Sequence, residues 1–301
     1  MNMKDFNSKS ALRTSDTPTS NDTLSAEKLK NVYTGGIIGR EIIFFESVAS
    51  TNDAAMEIGA QREEPEGIVV IADSQKSGKG RLGRSWLSPP GGNLYFTLLL
   101  RPSFPPREAP LLTLMAAVAV VSAIREHTGL SAVIKWPNDI LVGDKKTGGI
   151  LMEMKSDANR INLIALGIGV NVNLFPEMLP EGVRELTTTL KLETGRNIDR
   201  VKLFGVMLSS LEHWYKILLN GDKRALINEW LSLDSTIGRK VKVERSGLSE
   251  EDKIISGIAE GINDDGQLLI RLSSGKIERV SAGDVTILKN SNCTYFQEKN
   301  D

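Results

Sequence analysis

Ser74–Trp86, SQKSGKGRLGRSW, decides how this chain is read. Gly78, Gly80 and Gly83 spell G-x-G-x-x-G, and Gly78-x-x-x-x-Gly83-Arg84-Ser85 is a Walker A loop with Arg in place of Lys. Both patterns need a strand before the loop and a helix after it, so that a phosphate meets free N–H groups at the helix N-terminus. The apolar run Gly67–Ala72 (GIVVIA) supplies the strand. The segment after Ser85, WLSPPGGN, supplies no helix: Pro89 and Pro90 lack N–H donors, and Gly91 and Gly92 are poor helix formers. The next run, Asn93–Leu100 (NLYFTLLL), is a strand and offers no acid for a ribose. What remains is a glycine-rich connector between two strands, carrying Lys76, Lys79, Arg81 and Arg84 and no acid. A solvated turn is the plain alternative. The close-set glycines and mutually repelling cations favour a mobile basic loop that folds over an anionic ligand.

The 301 residues suffice for one large domain with attachments or for two domains. A net charge of −1 gives no global basic field for nucleic acid or a membrane surface. Cys293 is the one cysteine, so no disulfide forms within the chain, which suits a reducing compartment. The longest apolar stretch, Leu111–Ile124, ends at Arg125-Glu126-His127; it is too short for a bilayer and reads as a buried helix. Asp5, Asp16, Asp22 and Glu27 argue against a transit peptide, and no apolar signal core is present. A cytoplasmic protein is expected.

Residues 1–24 are rich in Ser, Thr, Asn and Asp and poor in large apolar side chains, so a disordered or poorly ordered tail is placed at 1–30. Ser25–Tyr33 offers a short helix capped by Ser25. Glu41–Glu46 is a strand, and Thr51–Ala60 a helix with Ser50 as N-cap. Ala109–His127 is a long core helix. Ala132–Lys135, Ile140–Val142 and Gly149–Lys155 are strands, with Gly143–Lys146 as a hairpin turn, and Ile161–Val172 is a long buried strand. Asp199–Leu219 and Arg224–Leu233 are amphipathic helices. After Asp234, the short strands Arg239–Glu244, Ile254–Gly261, Gln267–Leu272, Ile277–Val280 and Val285–Leu288 suggest a small barrel of SH3-like size. The domains expected are 31–234 and 235–290, with a tail at 291–301.

Lys135–Glu153, KWPNDILVGDKKTGGILME, is the second dense stretch. Asn138 offers an amide suited to a nucleobase edge and Asp139 a carboxylate suited to a cation, the alternative being an Asx-turn before a strand. Lys146 precedes Gly148-Gly149, where another group can approach the backbone closely. Ser50-Thr51-Asn52 reads first as a helix cap, Gln75 as solvent-facing and Trp86 as core. Asn171 and Asn173 interrupt an apolar strand and need partners. His127 and His213 share no motif, Cys and His show no metal-ligand spacing, and no serine triad can be assembled.

Together these pieces resemble the biotin protein ligases over about Ile37–Leu288: the STN triplet, Q-x-x-G-K-G-R-x-G-R-x-W, KWPND, K-x-G-G-I-L-x-E and G-I-G-V-N-V-N, in that order. The resemblance implies an α/β (α+β) catalytic domain with a mixed sheet, related to class II aminoacyl-tRNA synthetases, and an SH3-like C-terminal domain. It implies ATP, biotin and Mg²⁺ with ATP, no protein-held metal, and biotinyl-5′-AMP as intermediate. The partner would be a biotin carboxyl carrier domain of a biotin-dependent carboxylase, with no membrane and a homodimer as an option. By position, Ser50, Thr51, Asn52, Gln75, Lys79, Gly80, Arg81, Lys146 and Gly149 fall on the biotin side. Arg84, Trp86, Lys135, Asn138, Asp139 and Asn171 fall on the nucleotide side. Lys146 and Arg81 carry the catalytic roles, Lys146 bridging the biotin carboxylate and the α-phosphate. Lys79 stands where many relatives have Arg and loses the planar fork, so it is expected to steer or neutralise while Arg81 and Arg84 make oriented contacts. The short, apolar-poor segment before Ile37 leads us to expect a ligase without the winged-helix repressor some relatives carry, and no DNA partner. A lipoate–protein ligase shares the core fold but is disfavoured by the basic loop and the C-terminal strands. A nucleic-acid-binding module is disfavoured by the near-neutral charge and the lack of an aromatic-basic strand pattern.

Overall fold

The computed structural model describes residues 23–33, 35–245 and 254–288. Residues 1–22 of the expected N-terminal tail, and the expected tail 291–301 with Cys293, lie outside them. Residues 23–30, within the segment expected to be a tail, are among the described ones. Helix α1 (Ala26–Lys30) is capped by the Ser25 hydroxyl, and Leu24 and Leu29 are buried in the main core.

Strands β1 (Glu41–Val48), β2 (Ile68–Gln75), β3 (Leu94–Leu100), β4 (Ala132–Lys135), β5 (Asp139–Val142), β6 (Lys145–Ser156) and β7 (Ile161–Val170) form one sheet in the order β1-β2-β3-β7-β6-β5-β4. Only β1 and β2 are parallel; the other neighbours are antiparallel, which makes the sheet mixed. Helix α2 (Thr51–Ala60), with Ser50 Oγ accepting from the Asp53 amide, crosses from β1 to β2. Helix α3 (Pro110–Thr128) starts on a proline and stops at Gly129, in the left-handed region at φ 77°. It is long and apolar enough to cross a membrane by length and composition, yet it lies buried in the core. Short helices α4 (Glu181–Arg184) and α5 (Leu190–Thr194) follow β7. Helix α6 (Arg200–Leu219) is capped by the Asp199 carboxylate and α7 (Lys223–Leu233) by Asp222.

Alternation along the strands sorts the sheet into two faces. Val69, Ile71, Phe96, Leu98, Ile164, Leu166 and Ile168 pack with α3 and α6 in the main core. Ile68, Val70, Leu99, Leu163 and Ala165 pack with Ala55 of α2 in a smaller cluster. On that second face β7 runs Leu163, Ala165, Gly167, Gly169, its side chains shrinking from Leu to Gly. Helix α2 covers the bulky end with apolar residues, and at the glycine end, where the site lies, polar and aromatic side chains rest directly on the backbone.

The C-terminal strands β8 (Lys240–Glu244), β9 (Ile254–Ile262), β10 (Leu268–Arg271), β11 (Ile277–Val280) and β12 (Asp284–Ile287) form a five-stranded antiparallel sheet, ordered β11-β10-β9-β8-β12. This small antiparallel β-domain is the C-terminal unit expected from the short strands after Asp234. Its inward residues Val241, Val243, Leu268, Ile270 and Val285 continue the main core. The junction is marked by Trp136, whose Nε1 donates to Gly266 O at 3.3 Å and whose amide donates to Thr236 Oγ1 at 2.9 Å.

Glu212 of α6 ties the segment before β1 to this core. Its carboxylate accepts the amides of Gly36, Ile37 and Ile38 at 3.0–3.2 Å and pairs with Lys216 at 2.5 Å. Burial pushes the Glu212 carboxyl up; the Lys216 ammonium, the Gly36 amide, the Tyr33 hydroxyl and the Ile37 amide outweigh it and hold it at about 2 against an ordinary 4.5. A carboxylate depressed on folding contributes stability that is complete above pH 4.5 and is lost as pH falls through about 2. Glu212→Gln is expected to lower stability by about 2 kcal/mol at neutral pH. In urea unfolding across pH, the gap to wild type should narrow below pH 4.5; a constant gap would contradict the assignment.

Candidate active site

A cleft of about 640 Å³ opens over the glycine end of the sheet, walled by the basic loop, the KWPND turn, the α4 segment and the start of β12. Gly149, Gly167 and Gly169 make its floor. A Cβ at Gly169 would stand 2.8 Å from the Trp86 indole, and one at Gly167 2.2 Å from Asn52 Oδ1. The floor is glycine because side chains lie directly on it.

The basic loop is a hairpin-like excursion between β2 and β3, not a strand–helix unit. Gln75 N donates to Ser88 O at 3.0 Å, Trp86 N to Gly78 O at 2.8 Å and Gly80 N to Arg84 O at 2.7 Å. Its tip, Arg81–Gly83, is a single 3-10 turn with Leu82 in the left-handed region at φ 56°. No α-helix separates it from β3, so both phosphate-loop patterns fail for the reason expected.

The polar set expected for biotin is assembled at one wall. The amide and hydroxyl of Thr51 donate to Gln75 Oε1 at 2.8 and 3.1 Å, and Gln75 Nε2 donates to Ser88 Oγ at 2.9 Å. Gln75 is therefore a brace for the loop base and does not simply face solvent. Asn52 is buried, donating to Leu151 O and Glu153 Oε2 and accepting from Thr97 Oγ1. Ser50 is also buried and caps α2, as the cap reading expects.

Lys79, Arg84 and Lys146 meet carboxylates brought from other elements, and Arg81 meets neutral oxygens, so partners outside the loop offset its lack of acids for these cations. Lys79 pairs with Asp53 of α2 and, at 3.5 Å, with Glu153 of β6. The Asp53 hydrogen bond raises the Lys79 ammonium above its ordinary value, against the effect of burial. Arg81 donates to Asn138 Oδ1 at 2.9 Å and to Gly283 O at 3.3 Å. Desolvation lowers it, opposed by Asp284 and Asp139. Arg84 pairs with Asp284. Lys146 pairs with Asp139 at 2.5 Å, which Lys135 approaches at 3.8 Å. Lys146 is not at the hairpin tip as the sequence reading has it: it lies inside β6, its amide donating to Leu186 O and its carbonyl accepting from Thr188 N. That backbone clamp points its side chain over the floor, with Nζ 5.3 Å from the Trp86 ring centroid.

The residues expected on the nucleotide side also line the cleft, but the amides of Asn138 and Asn171 are engaged. Asn138 Nδ2 donates to Ile150 O at 2.8 Å while its Oδ1 holds Arg81. Asn171 accepts from Asn93 Nδ2 and donates to Thr188 O. Trp86 Nε1 is buried with no hydrogen-bond partner among the described residues, an uncompensated donor facing the cleft wall. The sequence reading missed Asp53, Asp284 and the wall residues Val183, Leu186 and Thr187. Only Glu153, at the end of K-x-G-G-I-L-x-E, carried a local signal.

The biotin/lipoate A/B protein ligase family matches residues 44–171, and the biotin protein ligase C-terminal domain matches residues 236–288. The chain is 35% identical over 251 residues to the bifunctional ligase/repressor BirA of Bacillus subtilis, covering 83% of this chain and 75% of that one. It is 32% identical to the biotin--[acetyl-CoA-carboxylase] ligase of Paracoccus denitrificans, over 69% of this chain and 85% of that one. The solved biotin protein ligase of Aquifex aeolicus, in complex with biotin and ATP, aligns with TM-score 0.70 at 29% identity, covering 83% of this chain and all of that one. With both family regions matched in order over the mixed sheet and the small antiparallel sheet, the chain belongs to the biotin protein ligase family.

Proposed function

We propose that this chain uses ATP to attach biotin to a lysine of a biotin carboxyl carrier protein, through biotinyl-5′-AMP. The observation that carries the reading furthest is Lys146 on the glycine floor, clamped by its backbone and paired with Asp139. Biotin's carboxylate and ATP's α-phosphate repel each other, and a fixed ammonium between them offsets that repulsion where charge develops. A carboxylate oxygen then bonds to the α-phosphorus and the bond to pyrophosphate breaks. In the second step the carrier's lysine amine attacks the acyl carbon and AMP leaves.

The roles follow from where each group is held. Thr51, Asn52 and Gln75, with Ser50, shape the end of the cleft for biotin's polar ring, while Gly149 and Gly169 let the Trp86 indole lie against the sheet, where it walls the ligand. Lys79, Gly80 and Arg81 close over it from the loop. Arg84, Trp86, Lys135, Asn138, Asp139 and Asn171 line the nucleotide side. Asn138 acts in this reading through Arg81, whose guanidinium it orients. Asp139, Asp144 and Asp284 line the cleft at separate points and not as a cage, which fits a Mg²⁺ that arrives on the phosphates of ATP. When bound there, the ion would neutralise phosphate charge.

Labelling of a purified carrier domain in the presence of ATP, Mg²⁺ and biotin tests the assignment; a carrier that stays unmodified contradicts it. Lys146→Ala is expected to lower the rate of adenylate formation by roughly 10²–10³-fold with the fold intact by circular dichroism. Full adenylation in that variant would remove the lysine from its role. Arg81→Gly should release biotinyl-5′-AMP and raise labelling of bystander lysines about tenfold, because the Asn138 and Gly283 contacts that hold the loop are gone. Labelling as carrier-specific as wild type would count against the loop's retaining role.

A further inference from the structure

Arg200 is the first residue of α6 and is only 1% exposed, although a cation at a helix N-terminus opposes the helix dipole. A buried guanidinium in that place must be held by specific partners. Its Nη1 donates to Asp73 Oδ1 at 3.0 Å and to Asn93 O at 3.0 Å. These two residues flank the basic loop. Asp73 stands two residues before Gln75 at the end of β2, and Asn93 immediately precedes β3. The other oxygen of Asp73 accepts the Gly91 amide at 3.0 Å, so one carboxylate joins the outgoing strand to the returning one.

The same contacts reach the cleft. Asn93 Oδ1 accepts the Val172 amide at 2.9 Å, and its Nδ2 donates to Asn171 Oδ1 at 3.3 Å and to the Tyr95 hydroxyl at 3.0 Å. That hydroxyl donates to Pro89 O at 3.2 Å, still within the returning limb of the loop. None of the sequence motifs contains Arg200, and it lies outside the residues that line the cleft. We infer that Arg200, through Asp73 and Asn93, is a positioning residue that fixes both hinges of the basic loop and the cleft amide Asn171, so that the loop opens and closes about a rigid base. This deepens the proposed function, on which its consequence for adenylate retention rests; the hinge role itself does not depend on the substrate.

The test compares the full chain with Asp73→Asn and Arg200→Lys. Asp73→Asn keeps the shape at a side chain that is 24% exposed and removes the charge. Arg200→Lys keeps the charge and loses the fork. Hydrogen–deuterium exchange of the ligand-free protein should show amides of Lys76–Ser88 exchanging about tenfold faster in both variants, with the α3 and α6 amides unchanged. Bystander labelling should rise about fivefold while biotin-dependent adenylation falls by about threefold or less. Glu at position 73, as Asp73→Glu, should recover part of the loop protection. Unchanged loop protection in Asp73→Asn overturns the inference, as does an acceleration spread evenly through the molecule, which would mark a purely structural role. Faster loop exchange in a protein that forms no adenylate would support the hinge and count against the ligase reading.

Discussion

Five cations converge on one cleft, and the structure depends on how their mutual repulsion is met. Lys79, Arg81, Arg84, Lys135 and Lys146 all line the same space. Lys79 meets Asp53 on α2 and Glu153 on β6, Arg81 meets Asn138 and Gly283, Arg84 meets Asp284 at the small sheet, and Lys146 and Lys135 share Asp139 of the KWPND turn. Most of these pairs are half-exposed, so each contributes little to stability on its own. Their value lies in position. The cations already line one cleft, and an arriving carboxylate and polyphosphate would replace these partners.

That arrangement needs a floor with room above it. The face of β7 under α2 runs from Leu163 and Ala165, which pack in the apolar cluster, to Gly167, covered by Asn52 of α2, and Gly169, covered by Trp86 of the loop. The change from Leu to Gly along one strand face ends the hydrophobic cluster and begins the cleft. The clamp on Lys146 from Leu186 and Thr188 then sets a flexible side chain over this floor, and the small sheet closes the remaining side with Asp284, Val285 and Thr286. The small sheet is thus part of the cleft wall as well as a continuation of the core.

Much of this was legible in the sequence because the signals were local. WLSPPGGN excludes a helix after the basic loop whatever the tertiary context, and the structure has none over residues 86–93, the 3-10 turn Arg81–Gly83 lying before them. Ser25 and Ser50 are caps by their position before helical runs, and they cap. The strands after Asp234 were readable from alternation and turn residues. What stayed hidden depends on distant chain segments. Nothing near Lys79 announces Asp53, and nothing near Arg84 announces Asp284, 200 residues away. Gln75 reads as solvent-facing until α2 brings the Thr51 amide to it. Lys146 reads as a hairpin tip because strand length cannot be judged from GDKK alone; the bulge opposite Ile140/Leu141 carries β6 through it.

The central claim is that this cleft brings biotin's carboxylate to the α-phosphate of ATP. It is tested most directly by exchange of labelled pyrophosphate into ATP, catalysed by the purified chain with Mg²⁺ and no carrier protein. The account predicts exchange that depends on biotin and is negligible with lipoate in its place. Exchange supported by lipoate and not by biotin would contradict it.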